Sequence, residues 1–211
     1  MSGELWAGVV ILGTLALLWA ERTGNLPLKV VAKTTAATAF ILEAVAFGAW
    51  EGTWTRTLVG ALVLCWFGDV FLLSRKQRFF LSGLVAFLLG HLAYAVMFVQ
   101  IGLAGPWLAG GLVLVLVLLP VIARWILPHV QGRMKGPVIA YMVVISAMVA
   151  LAAGATGATG RPLFLAAAVM FFVSDLSVAR DRFIAPGFDN KLWGAPLYFG
   201  AQLLFAATAA T

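Results

Sequence analysis

Residues 55–73 read TRTLVGALVLCWFGDVFLL, an apolar run long enough to cross a ~30 Å hydrocarbon core as a helix. Its one acidic residue, Asp69, follows Gly68 near the end of the run. Residues 166–179, AAAVMFFVSDLSVA, repeat the pattern with Ser174-Asp175. An Asp at the centre of a membrane helix costs roughly 3 kcal/mol on insertion scales. Two such residues with apolar flanks on both sides are expected to face a polar interior rather than lipid.

Composition supports a membrane class for the whole chain. Of 211 residues, 63% are hydrophobic and only 10% charged, against about 25% charged in soluble domains. A helix-length window yields eight spans, at 4–20, 29–48, 55–73, 79–101, 107–127, 136–154, 161–180 and 190–209. The expected fold is all-α, a polytopic transmembrane bundle of about eight helices forming a single membrane domain over 1–211. The first run lacks a basic region before it and reads as a retained helix rather than a signal peptide. Breaks fall where turn chemistry is dense: Gly24-Asn25-Leu26-Pro27, Gly102 to Pro106, Gly132, Gly154 to Gly160 and Pro186-Gly187. The GATGATG segment, with Gly154, Gly157 and Gly160, has no phosphate-loop spacing and reads as a loop. No sequence repeat supports inverted-repeat transporter symmetry.

The loops divide sharply by charge. Arg22, Lys29, Lys33, Arg75, Lys76, Arg78, Arg124, Arg133, Lys135, Arg180, Arg182 and Lys191 fall on one side; only Arg56 and Arg161 fall on the other. The positive-inside rule then places the loops after spans 1, 3, 5 and 7 in the cytoplasm and both ends of the chain outside. The net charge of +6 is accounted for by this bias and is no nucleic-acid signal. The expected location is a bacterial inner membrane, with membrane lipids as the surroundings; no sequence feature sets an oligomeric state. A single cysteine, Cys65, excludes an intrachain disulfide. Two histidines and one cysteine are too few for a three-His or Cys-rich zinc site, although His with carboxylates can still bind a metal. No metal and no cofactor is expected.

In this orientation Asp69, Asp175, Lys33, Tyr141 and Tyr198 lie in the cytoplasmic half, with His91 and Tyr94 near the middle of span 4. This predicts one polar cavity opening toward the cytoplasmic leaflet. The bland alternative for each Asp is an interfacial residue paired with a nearby Arg75 or Arg180. Lys29 and Lys33 share a helix face, as do His91 and Tyr94, and Tyr198 and Gln202. Lys29 also reads as a snorkelling interfacial residue, and Glu43 as a packing residue away from the cluster. The Arg75-Lys76-Gln77-Arg78 run anchors topology and can hold a lipid phosphate.

Taken in order, these residues resemble the lysoplasmalogenase family, also called the YhhN family. The matching elements are Lys33 with its threonines; Gly68-Asp69 with Leu72-Leu73; Arg75, Gln77 and Arg78; Gly83, Ala86-Phe87, His91 and Tyr94; Ile139-Ala140-Tyr141 with Met148; Ser174-Asp175; and Tyr198 with Gln202. One departure is Lys33-Thr34, where the family often has Lys-Pro; a proline kink there is not carried over. The resemblance implies an eight-helix membrane hydrolase. It would cleave the vinyl ether of a 1-alkenyl lysoglycerophospholipid to a fatty aldehyde and a glycerophospho-headgroup.

Vinyl ethers yield to acid. A proton added to the alkene carbon distal to oxygen gives an oxocarbenium ion that water captures. Two carboxyls in one site suit this chemistry, one as neutral acid and one as carboxylate. Asp69 and Asp175 are the catalytic candidates. The sequence leaves the roles open, with Phe171, Phe172 and Val173 favouring Asp175 as acid. Lys33, His91, Tyr94, Tyr141, Tyr198, Gln202, Arg75 and Arg78 are the substrate-binding candidates. A different class keeps the same residues: a proton-coupled transporter or lipid scramblase would use the Asp pair as a relay. A ceramidase-like zinc hydrolase is disfavoured by the distance in sequence between His91 and His129.

Overall fold

The computed structural model describes residues 3–210. It contains α1 (Gly3–Thr23), α2 (Leu26–Ala46), α3 (Thr53–Phe71), α4 (Gln77–Ile101), α5 (Gly105–Ile126), α6 (Lys135–Thr159), α7 (Pro162–Ala179) and α8 (Phe188–Ala207), with no strand among the described residues. Six of the helices are long and apolar enough to cross a membrane, and the protein is an integral membrane protein. The other two, α2 and α8, are of similar length but more polar, carrying Lys29, Lys33 and Glu43, and Asp189, Asn190, Lys191 and Gln202.

Local chemistry explains the ends. Gly24 takes φ +69°, a left-handed turn open to glycine, between α1 and α2. Asn25 then caps α2, its Oδ1 accepting the N–H of Leu28 at 3.1 Å, with Pro27 in the first turn. The helix continues unbroken through Lys33-Thr34, where the Thr34 hydroxyl donates back to the Val30 carbonyl at 2.8 Å. Predicted helix ends agree with the structure within three residues, with one correction. Helix α6 does not stop at 154 but runs on to Thr159. Gly154 and Gly157 are not loop residues; they are contact points with the start of α5. A Cβ on Gly154 would lie 3.0 Å from Leu103 Cδ2, and one on Gly157 would strike the Trp107 ring. Only Gly160, at φ +71°, serves as the turn.

Packing orders the helices in a closed ring: α1, α2, α3, α4, α6, α7, α8 and back to α1, with α8 also against α2. Helix α5 lies outside, packed on α6. It buries Gly111, Val115 and Ile126 and exposes Leu112, Val113, Leu116, Val117 and Val121, which suits a lipid-facing helix. Gly111 lets it approach, since a Cβ there would sit 3.0 Å from Ala150 Cα; Gly110 faces open space. The ring interior is aromatic. Phe171 is fully buried and meets the rings of Phe87, His91, Tyr94 and Tyr198 at 6.2, 4.4, 6.2 and 5.4 Å.

Helices α3 and α4 close together through small residues. A Cβ on Gly68 would lie 2.5 Å from the Phe87 ring, and one on Gly83 would lie 2.8 Å from Leu72. Gly68 thus lets Phe87 lie beside the backbone that carries Asp69. Gly68→Ala is expected to destabilise the protein by about 1–3 kcal/mol, because the ring must move in a packed core. Gly60→Ala on the same helix, with nothing within 4 Å of its Cβ, should cost nothing. Thermal unfolding of both variants in detergent checks the contrast.

Candidate active site

Asp69 is buried near the C-terminal end of α3. Lys33 Nζ of α2 lies 3.2 Å from its Oδ1, and the Tyr198 hydroxyl of α8 donates to its Oδ2 at 2.6 Å. Three helices therefore supply one charge-balanced cluster. Burying an ion pair is tolerable only when the geometry is good and further hydrogen bonds satisfy the oxygens. Both conditions are met here.

Asp175, half-buried on α7, has different company. The Tyr141 hydroxyl of α6 donates to its Oδ2 at 2.5 Å. His91 Nε2 of α4 lies 3.6 Å from the same oxygen and has no hydrogen-bond partner. The His91 Nδ1 lies 2.6 Å from the Phe87 carbonyl. A carbonyl only accepts, so Nδ1 carries the proton. In the neutral ring, Nε2 then presents a bare lone pair toward Asp175. No lysine or arginine is paired with Asp175 among the described residues.

The two carboxyls share one cavity of about 230 Å³, far more than the ~15 Å³ a single water needs. Lys33, Asp69, Tyr141, Asp175 and Tyr198 line it, as do Lys29, Arg75, Arg182 and Lys191. An apolar wall of Phe80, Leu84, Leu119, Ile122, Ile126, Val138 and Met142 comes from α4, α5 and α6. The cavity thus has charged groups at the end where the basic residues gather, and a greasy side.

Other sequence candidates lie elsewhere. His91 is fully buried behind Asp175 and does not line the cavity. Tyr94 and Gln202 do come together, the Tyr94 hydroxyl donating to Gln202 Oε1 at 2.6 Å, but both are fully buried outside the cavity lining. Arg78 is exposed, its guanidinium 4.9 Å from the Phe79 centroid, and is not part of the lining. Among the described residues no three His, Cys, Asp or Glu side chains are grouped to hold a metal ion.

Sequence reasoning missed a network at the end of α7. The chain makes a π-helical turn, Arg180–Ile184, with Ala185 N–H donating to the Arg180 carbonyl at 2.8 Å. Buried Asn190 fastens it, donating to the Ala185 carbonyl at 2.7 Å and accepting from Arg180 Nη1. Asp181 accepts from Gly187 N–H at 3.1 Å and from Lys191 Nζ at 2.5 Å. The available signal was the alternation Arg180-Asp181-Arg182 followed by Asn190-Lys191, which a charge tally treats only as basic loop residues.

Fold and site define a helical membrane protein with a two-carboxyl cavity. The YhhN family profile matches residues 28–209, and the chain belongs to the YhhN family. It is similar to lysoplasmalogenase TMEM86A of Bos taurus, 33% identical over 161 residues, covering 74% of this chain and 65% of that protein. It is likewise 33% identical to lysoplasmalogenase TMEM86B of Homo sapiens over 162 residues, covering 75% and 66% of the two chains. The matched region spans about two thirds of the length of these relatives. No solved structure gives a significant match.

Removing Lys33 leaves Asp69 as a buried carboxylate without a counter-charge. Lys33→Met is therefore expected to cost on the order of 3 kcal/mol. Lys33→Met combined with Asp69→Asn should cost much less than the sum of the single changes. Additive losses in a double-mutant cycle of unfolding in detergent would show that the pair is not coupled.

Proposed function

We propose that this protein hydrolyses the vinyl ether bond of 1-alkenyl lysoglycerophospholipids, releasing a fatty aldehyde and a glycerophospho-headgroup. The observation that carries this reading is the unequal partnering of two carboxyls in one cavity: Asp69 with a lysine, Asp175 without one. The names of the similar proteins agree with it.

Asp175 acts as the acid. No lysine or arginine among the described residues is paired with it, and beside a neutral His91, whose Nε2 lone pair lies 3.6 Å from Oδ2, the neutral carboxylic acid avoids setting a carboxylate against that lone pair. Asp175 gives its proton to the alkene carbon distal to the ether oxygen, and positive charge develops on the adjacent carbon and oxygen. Asp69 acts as the carboxylate, kept ionised by Lys33 and oriented by Tyr198. It stabilises the oxocarbenium ion and accepts a proton from the attacking water. The hemiacetal then collapses: the carbon–oxygen bond to glycerol breaks, the glycerol oxygen takes a proton, and the aldehyde leaves. Proton return to Asp175 closes the cycle with no net proton consumed. The apolar wall from α4, α5 and α6 receives the chain. The protein acts as one membrane domain in a bacterial inner membrane, with the basic end of the bundle and the cavity mouth toward the cytoplasm and both chain ends opposite.

Purified Asp69→Asn and Asp175→Asn are each expected to release aldehyde at least about a hundredfold more slowly than the native protein. Near-native turnover in either variant removes that residue from the mechanism, and a protein that moves lipid without making aldehyde is a transporter or scramblase. Specificity offers a separate check. Esters and saturated ethers lack the alkene carbon, so 1-acyl and 1-alkyl lysolipids should compete with substrate without being cleaved. Mass spectrometry of products reads this directly, and equal cleavage of the acyl lysolipid would mean ester chemistry. For orientation, a reporter active only in the cytoplasm should stay silent at the C-terminus; a strong signal there inverts the topology.

A further inference from the structure

The cavity mouth holds charges that vinyl ether chemistry does not use. Glu21, Lys29, Arg75, Asp181, Arg182 and Lys191 all line it. Each lysine is matched to an acid: Lys29 Nζ lies 2.8 Å from Glu21 Oε1, and Lys191 Nζ lies 2.5 Å from Asp181 Oδ2. The arginines are not matched. Among the described residues neither Arg75 nor Arg182 has a carboxylate within ion-pair distance. Two arginines thus border one cavity with no carboxylate of the described residues to cancel their charge.

Arg182 is nevertheless held in place. Its Nη1 donates to the Arg75 backbone carbonyl at 3.1 Å, tying the turn after α7 to the loop between α3 and α4. Its guanidinium lies 4.4 Å from the centroid of Phe80, a residue of the apolar wall. The turn that carries it is fastened from below by Asn190 and by the Asp181–Lys191 pair. Single π-helical turns often mark functional sites. One N–H of Arg182 is used on the Arg75 carbonyl, and the remaining donors of the planar fork have no hydrogen-bond acceptor among the described residues. A preorganised fork of this kind matches the oxygens of a phosphate ester.

We propose that Arg182, with Arg75, forms the phosphate-binding subsite of this cavity, and that Arg182 makes the protein select a phosphate-bearing lysolipid over the same glycerol ether without its phosphate. The proposal rests on the lysolipid reading above. It replaces Arg78 of the sequence-based set with a residue brought to the mouth by the π-helical turn. The phosphate sits at the rim, the glycerol points inward to Asp69 and Asp175, and the chain lies on the apolar wall below Phe80.

The test is a binding measurement on the full-length protein in an uncharged maltoside detergent. It uses two inert probes: a 1-hexadecyl lysophosphocholine and 1-hexadecylglycerol. Arg182→Gln is expected to weaken the phosphate-bearing probe about tenfold and to leave the glycerol ether within about twofold, since only the former offers a charge-assisted acceptor. Arg182→Lys should fall between, keeping the charge but losing the fork. Equal weakening of both probes would make Arg182 a structural strap only, and unchanged binding of the phosphate-bearing probe would overturn the subsite. An anionic phospholipid that displaces the probe from the native protein but not from Arg182→Gln would retain the subsite and make a bilayer lipid its occupant. Neither probe contains a vinyl ether, so absence of aldehyde release by the native protein would defeat the proposed reaction and leave this measurement intact.

Discussion

The ion pair between Lys33 and Asp69 is the constraint around which the bundle is arranged. A carboxylate in an apolar ring of helices is stable only with a counter-charge and hydrogen bonds at its oxygens. The counter-charge comes from α2 and the hydroxyl from Tyr198 on α8, so α2, α3 and α8 must meet at one place. This accounts for the polarity of α2 and α8, the two helices less apolar than the rest. Glu43 of α2 and Asn190 and Gln202 of α8 are buried, and Lys33 and Tyr198 reach Asp69, whereas Asp189 at the start of α8 is exposed.

The second carboxyl shows that position in a fold differentiates chemically equal groups. Asp69 and Asp175 are the same residue in similar local sequence. One sits against a lysine and a tyrosine hydroxyl, the other against a tyrosine hydroxyl and a histidine ring nitrogen that has no hydrogen-bond partner. The Phe171 ring packs between their partners, touching both His91 and Tyr198. An apolar wedge of this kind lets two polar clusters keep separate hydrogen bonding while opening on one cavity. Pairs of carboxyls placed in unlike environments are the arrangement that separates acid from base roles.

Helix α5 supplies part of that surface from outside the ring. Its inner side gives Leu119, Ile122 and Ile126 to the cavity, while Leu116, Val117 and Val121 are exposed. The same helix thus borders the cavity and the region where lipid chains lie. Glycines set the distances: Gly111 against Ala150, Gly157 against Trp107, and Gly68 against Phe87. Each removes a side chain where a backbone or ring must pass closely.

Much of this was legible in the sequence because hydrophobicity and turn chemistry act locally. Apolar runs of membrane length set the number of helices, and Gly24-Asn25-Pro27 and Gly160 set their ends. The cost of a charge in lipid singled out Asp69 and Asp175 without knowledge of any contact. What sequence spacing could not separate was use from proximity. Tyr94 and Gln202 share faces with His91 and Tyr198, yet they bond to each other in the core rather than lining the cavity. GATGATG has the composition of a loop, but Gly154 and Gly157 are helical because Leu103 and Trp107 pack against them. Arg182 reached the cavity mouth only because the chain makes one wide turn after α7 and Asn190, ten residues on from Arg180, fastens it. Helix number and buried charges follow from the energy of each residue in lipid, which the sequence alone determines. The pairing of those charges depends on which helices become neighbours, and only the tertiary structure decides that.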